Sequence, residues 1–260
     1  MPAEEVDRIL NCLPSPQPEK DWKLDNAAVA LQIDVTTKIP ASKDLREKWW
    51  TIADQGGTGS CVGWATADSV LRWHFVRRKR IPKDCLLSVR FIWMASKELD
   101  ESTSMATTFI ERSGTFLKAA LDVARTFGCV LDSVLPFESP QMYLFDENTF
   151  YLTAAQLKIN SYVRLEGPDQ WRRWIATRGP VLTRLNVDAT WSNATQTGGA
   201  LEVYQPDTAR GGHAVALVGY SPERFTVRNS WGEEWGDGGF AYASEAYAQA
   251  AFTEAYGVIV

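Results

Sequence analysis

Apolar positions change their spacing near residue 180 of this 260-residue chain. Before that point they recur at helical intervals. Trp64, Ala65, Ala67, Leu71, Phe75 and Val76 predict a helix that opens at Cys61, with further helices over 89–99 and 115–127, the latter closed by Gly128. Trp171, Trp174 and Ile175 mark a short helix within 167–178. From Pro180 onward the pattern alternates or runs continuously apolar, so 180–187, 214–218, 225–227 and 239–242 read as strands. Residues 1–48 show neither period. The run Leu13-Pro14-Ser15-Pro16-Gln17-Pro18 is extended and proline-punctuated, and Val35, Ile39 and Leu45 suit a segment laid along a surface. That segment has no long amphipathic helix that could form an independent inhibitory pro-domain. Helices first and strands later predict an α+β fold, with an extended segment at 1–48, a helical lobe at 49–160 and a β-rich lobe at 161–260.

Composition narrows the function. At 45% hydrophobic and 23% charged, the chain has ample core for one large domain or two modest lobes. A net charge of -5 argues against nucleic acid as a partner, since phosphate binding wants a basic face. The short run Arg77-Arg78-Lys79-Arg80 reads as a solvated helix end that complements the dipole. No secretory leader is visible after the acidic opening Met1-Pro2-Ala3-Glu4-Glu5, and no run approaches the ~20 apolar residues that span a bilayer, so no membrane partner is expected. Cys12, Cys61, Cys85 and Cys129 are dispersed without CxxC spacing. They read as reduced thiols of a cytoplasmic protein rather than as metal ligands, and no metal or other cofactor is expected. In that compartment the sequon Asn193-Ala194-Thr195 would carry no glycan.

The chemistry is constrained by there being only two histidines. Cys61 follows Gln55-Gly56-Gly57-Thr58-Gly59-Ser60 and opens a helix, where the dipole and unpaired amides stabilise a thiolate. An isolated cysteine there would more often be a small buried residue; the glutamine and glycine context favours a nucleophile. Gln55 can swing a side-chain N–H across the loop toward the oxygen that the Cys61 amide also faces. His74 lies thirteen residues further along the same helix, about 20 Å away, and is excluded as the base. His213 begins an apolar strand after Gly211-Gly212, which leaves room for a substrate backbone. Asn229 would come beside it if two antiparallel strands turn at 220–224, and could hold the imidazole toward the thiol. Trp231 reads equally as a shield over that hydrogen bond or as a plain core aromatic.

In the order Cys, His, Asn, these residues resemble the papain family of cysteine peptidases. Gln55-Gly56-Gly57-Thr58-Gly59-Ser60-Cys61 is similar to the family's Gln-Gly-x-x-Gly-Ser-Cys block. The stretch 213–220, and Asn229-Ser230-Trp231-Gly232 with Trp235-Gly236, resemble its other two. Weaker similarity at Leu87-Ser88, Phe127-Gly128, Leu135-Pro136-Phe137 and Gly179-Pro180-Val181 extends the likeness over about 45–245. The resemblance implies a two-lobed fold with the cleft between lobes, and an endopeptidase acting through a Cys61 thiolate, protonated His213, Asn229 and a thioester. Gln55 and the Cys61 amide would stabilise the oxyanion. It implies Gly59, Ser113, Gly114, Gly212 and Trp231 as substrate-binding positions. Thr58 stands where secreted members carry a disulfide-bonded cysteine, and Val62 where an aromatic is usual, a mixture closer to bacterial intracellular members. With the usual pro-region absent, control is expected from a partner protein, expression or substrate access. Two other classes share the constellation: a Cys-His deamidase or acyltransferase acting on protein side chains, and a catalytically silent peptide-binding module.

Overall fold

The computed structural model describes residues 7–30, 34–100, 112–139 and 147–260. Apolar segments late in the chain build one sheet of eight strands: β1 (Lys43–Asp44), β2 (Ser161–Arg164), β3 (Val181–Val187), β4 (Ala200–Leu201), β5 (Gly211–Tyr220), β6 (Arg224–Arg228), β7 (Phe240–Ser244) and β8 (Phe252–Ile259). Their spatial order is β2-β8-β3-β5-β6-β7-β4, with β1 pairing on β5. All neighbours run antiparallel except β4 and β7.

The longest strand, β5, is buried at every residue after Gly211 because both its faces are covered. The helix carrying Cys61 lies against it, and so does the Gly167–Thr177 helix. This explains why 214–218 reads as a continuous apolar run instead of alternating. In β6, by contrast, Arg224 is exposed, Phe225 buried and Thr226 half-buried, an alternation carried through to the buried Val227.

The helix that opens at Cys61 is one continuous rod of three parts: an α turn Cys61–Gly63, a π-helical stretch Trp64–Leu71 and an α segment Arg72–Arg77. It is buried almost all round, between β3 and β5 on one side and the Val89–Leu99 and Leu117–Thr126 helices on the other. Ser88 caps the Val89–Leu99 helix by accepting from the Phe91 N–H at 3.0 Å while donating to the Leu135 carbonyl at 2.6 Å, a capping bond worth about 1 kcal/mol. Gly128 ends the Leu117–Thr126 helix at φ +98°.

Two expectations are corrected. The early segment is not merely extended along a surface. It forms a 3-10 turn at Pro18–Lys20 and a helix at Leu24–Ala30 whose Leu24 and Ala27 enter the core. The buried carboxylate of Asp21 ties this segment to both halves, pairing with Lys118 at 2.5 Å, Arg164 at 3.3 Å and the Tyr256 hydroxyl at 2.7 Å. The chain also contains β2, β8 and the Glu147–Ala154 and Glu245–Ala251 helices, none of which periodicity marked.

Candidate active site

Cys61 sits at the end of a tight turn that its own side chains hold shut. The Thr58 hydroxyl donates to the Gln55 carbonyl at 2.7 Å, and Gln55 Nε2 donates to the Thr58 carbonyl at 3.0 Å. Across the cleft the Ser230 hydroxyl donates to Gln55 Oε1 at 2.8 Å, and the Gln55 N–H donates to the Ser230 carbonyl at 2.8 Å. Gln55 is therefore pinned in place, not swinging on a flexible loop, with one Nε2 hydrogen left for another acceptor.

The Cys61 thiol is held well below its ordinary range. The chief cause is the neighbouring Cys12 thiol, opposed by burial and reinforced by the nearby His213 imidazole and by the Ala214 N–H. The helix start adds the same sign of field. His213 is the third residue of β5, fully buried. The β5–β6 hairpin brings Asn229 to it, with Asn229 Oδ1 2.8 Å from His213 Nε2. That same oxygen accepts the Ser230 N–H at 2.8 Å, which fixes it as the acceptor, so Nε2 carries the proton. His213 Nδ1 has no hydrogen-bond partner among the described residues, and the ring is near enough to lower the pKa of the Cys61 thiol.

Three tryptophans roof this pair. Trp231 lies over the imidazole with ring centres 4.9 Å apart and a 35° tilt, and Trp191 meets it edge-on at 5.6 Å. Trp235 stacks on Trp191 at 4.9 Å and abuts Trp231 at 5.4 Å. Trp231 is thus both a buried aromatic and a cover over the His213–Asn229 bond. Trp191, in the short 3-10 turn Ala189–Asn193, was missed because nothing periodic surrounds it.

Behind the site, Arg228, the residue before Asn229, reaches the Cys61 helix. Its guanidinium donates to Asp68 Oδ2 at 2.8 Å, the Ser69 hydroxyl at 3.1 Å and the Thr51 carbonyl at 2.6 Å. Arg72 holds the other Asp68 oxygen at 3.1 Å. His74 stays out of the site, as its distance along the helix requires. It is buried beside Trp73, and burial with the nearby Arg78 charge pushes its pKa down to about 3.

The expected substrate positions do meet a peptide backbone, and it is the chain's own. Residues 10–13 run between the two walls of the cleft. Asn11 pairs with Gly212 and Leu13 with Phe116, both in parallel. The Cys12 N–H donates to the Gly212 carbonyl at 3.0 Å, and the Leu13 N–H to the Thr115 carbonyl at 3.0 Å. The approach is close enough to demand glycine. A Cβ at Gly114 would lie 2.0 Å from the Asn11 carbonyl, and one at Gly212 would lie 2.1 Å from the Cys12 carbonyl. Gly59 abuts the Asn11 side chain and the Ser113 carbonyl, which also accepts from Trp93 Nε1 at 3.0 Å. Arg8 pairs with Asp54 and lies over the Trp231 ring at 5.6 Å. Among the described residues no helix is long and apolar enough to cross a membrane, and no three His, Cys, Asp or Glu side chains are grouped to hold a metal ion.

The site brings a buried cysteine at a helix start beside an imidazole held by an asparagine, and comparison with known proteins supplies the family. Cathepsin J of Mus musculus is 27% identical over 255 residues, spanning 92% of this chain and 68% of that protein. Two solved structures share the fold. Xylellain, a cysteine protease from Xylella fastidiosa, superposes with a TM-score of 0.79 at 19% identity, covering 100% of this chain and 99% of that one. Procathepsin B S9 from Trypanosoma congolense gives 0.69 at 17% identity, covering 96% and 86%. The profile described as papain family cysteine protease matches residues 39–257, and on that match the chain belongs to the papain family of cysteine proteases.

Proposed function

We propose that the chain is an endopeptidase in which Cys61, His213 and Asn229 carry the chemistry and Gln55 the developing charge. The observation that carries this reading is the run of contacts from the Cys61 sulfur through His213 to Asn229 Oδ1, all sealed under tryptophan. With Nε2 committed to Asn229, Nδ1 is the nitrogen that exchanges protons with the reacting groups. The Cys61 sulfur attacks the peptide carbonyl carbon, and the C=O electron pair moves to oxygen, where the Cys61 N–H and the spare Gln55 Nε2 hydrogen receive it. As the C–N bond breaks, His213 Nδ1 gives the departing amine the proton it took from the Cys61 thiol when the thiolate formed. Water, deprotonated by the same nitrogen, then cleaves the thioester.

The substrate is a protein or peptide laid along the Gly114 and Gly212 positions, so residues 10–13 must leave first. This favours restraint from within the chain over the regulatory partner expected from sequence. A cytoplasmic setting remains part of the proposal and rests on four unpaired cysteines, with cell fractionation as its check.

An epoxysuccinyl peptide probe, followed by peptide mapping and profiling of the reduced enzyme on a peptide library, tests the whole reading. Label on Cys61, cleavage of internal peptide bonds and loss of both in Cys61→Ala are expected. A mass gain of about one dalton at a glutamine of an intact protein, without cleavage, would replace hydrolysis by deamidation of side chains.

A further inference from the structure

The early segment sets a second sulfur against the first. Three main-chain anchors fix Cys12 between the cleft walls: its N–H on the Gly212 carbonyl at 3.0 Å, its carbonyl on Arg184 Nε at 2.9 Å, and the next N–H, that of Leu13, on the Thr115 carbonyl at 3.0 Å. So held, its thiol lies close enough to the Cys61 sulfur for each to shift the other's pKa, while its own hydrogen bond runs to the Leu13 carbonyl at 3.8 Å. Both are sealed from solvent, at 2% and 0% exposure. Peptide hydrolysis has no use for Cys12, and a segment that only blocked the cleft could fill this space with serine or alanine. The remaining thiols lie elsewhere: Cys129 faces the Ser88 and Val130 carbonyls, and Cys85 follows the Cys61 helix.

We propose that Cys12 is the resolving thiol of an oxidative lock: Cys61, once oxidised by a peroxide, is captured as a Cys12–Cys61 disulfide that ties residues 7–16 into the cleft until a dithiol reductant releases them. The inference rests on the reading of Cys61 as a reactive thiolate in a substrate-binding cleft. Local opening of the segment exposes Cys61 to the oxidant. The thiolate attacks one peroxide oxygen; an S–O bond forms, the O–O bond breaks, and the departing hydroxide takes a proton to become water. When the segment returns, Cys12 yields its proton and attacks the Cys61 sulfur. The S–S bond forms, the S–O bond breaks, and hydroxide leaves to become a second water. Two thiols lose two electrons and the peroxide gains them. Tethering supplies Cys12 at an effective concentration of about millimolar or more, so capture outruns further oxidation to the irreversible sulfinic acid. A dithiol reverses the bond through a mixed disulfide. In a reducing compartment such a bond is a transient signal.

The test takes the reduced full chain, titrates it with hydrogen peroxide, and reads intact mass, a tryptic map without reductant, and peptidase activity before and after dithiothreitol. A mass loss of about 2 Da, a peptide linking residues 12 and 61, and at least a roughly tenfold activity loss that dithiothreitol restores are expected. In Cys12→Ser and Cys12→Ala, Cys61 should instead gain about 32 Da and the loss should persist. A wild-type chain that gains this mass as fast as the variants, or that pairs Cys61 with Cys85 or Cys129, overturns the proposal. A 12–61 bond in a chain that cleaves no peptide even when reduced would uphold the lock and sink the hydrolytic reading.

Discussion

Asp68 is, among the described residues, the one carboxylate paired with both buried guanidiniums, and removing it tests how the two halves of the site are joined. Arg72, Asp68 and Arg228 are 2%, 4% and 1% exposed, so none of them can take up water in compensation. Arg228 carries more cost than its partners. Burial lowers its pKa, the Asp68 charge and hydrogen bond resist that, and the Arg72 charge adds to it. In Asp68→Ala two cations face each other without an anion, a situation that costs about 3–5 kcal/mol. For a chain of this size that corresponds to a fall of roughly 6–20 °C in Tm. Arg228→Met is milder, because Asp68 keeps Arg72 at 3.1 Å. Thermal and guanidinium unfolding in a Cys61→Ala background, which prevents self-digestion, measures both. The double variant should be more stable than the summed single effects indicate, by about 2–3 kcal/mol of coupling. Additivity within about 0.5 kcal/mol, or Asp68→Ala costing no more than Arg228→Met, would refute the argument. With Cys61 restored, Arg228→Met should lower kcat more than it raises KM, since Asn229 loses its anchored neighbour.

Gln55→Ala removes the side-chain donor and leaves the Ser230 hydroxyl without its acceptor; kcat should drop by about 10²–10³, and a drop under fivefold in steady-state assays would remove Gln55 from the oxyanion site. His74 gives a pH signature separate from catalysis. Its pKa falls from 6.5 to about 3 in the fold, so the unfolded chain binds the extra proton first, and its stabilising effect is complete above about pH 6.5 and lost as pH falls toward 3. His74→Phe should therefore flatten the acid side of a stability-versus-pH curve across that window while leaving kcat within a few-fold. Unchanged acid sensitivity, or a rate loss of about 10² or more, would contradict the assignment.

The residues with chemistry on display were legible because their reasons are local. Cys61 announces itself by the glycine-rich turn before a helix, and His213 and Asn229 by a hairpin whose apolar strand and turn fix their separation. What stayed hidden depends on contacts distant in sequence. Cys12 sits in a proline-punctuated run, and only its pairing with Gly212 gives it a role. Asp68 and Arg228 are ordinary charges until the helix and β6 come together. β8 was overlooked because it is buried on nearly every residue and mixes alanine, glycine, tyrosine and glutamate without alternation.

β8 also carries a consequence for how the protein comes into being. This strand, made last of the eight, lies inside the sheet between β2 and β3. A ribosome delivers residue 61 long before residue 259, and at roughly 5–20 residues per second the interval is about 10–40 s. Throughout it residue 61 has been made while β3, the strand beside the one that carries His213, lacks its other neighbour. Translation thus sets the earliest moment at which the sheet can close around β3, well after the Cys61 helix has been made.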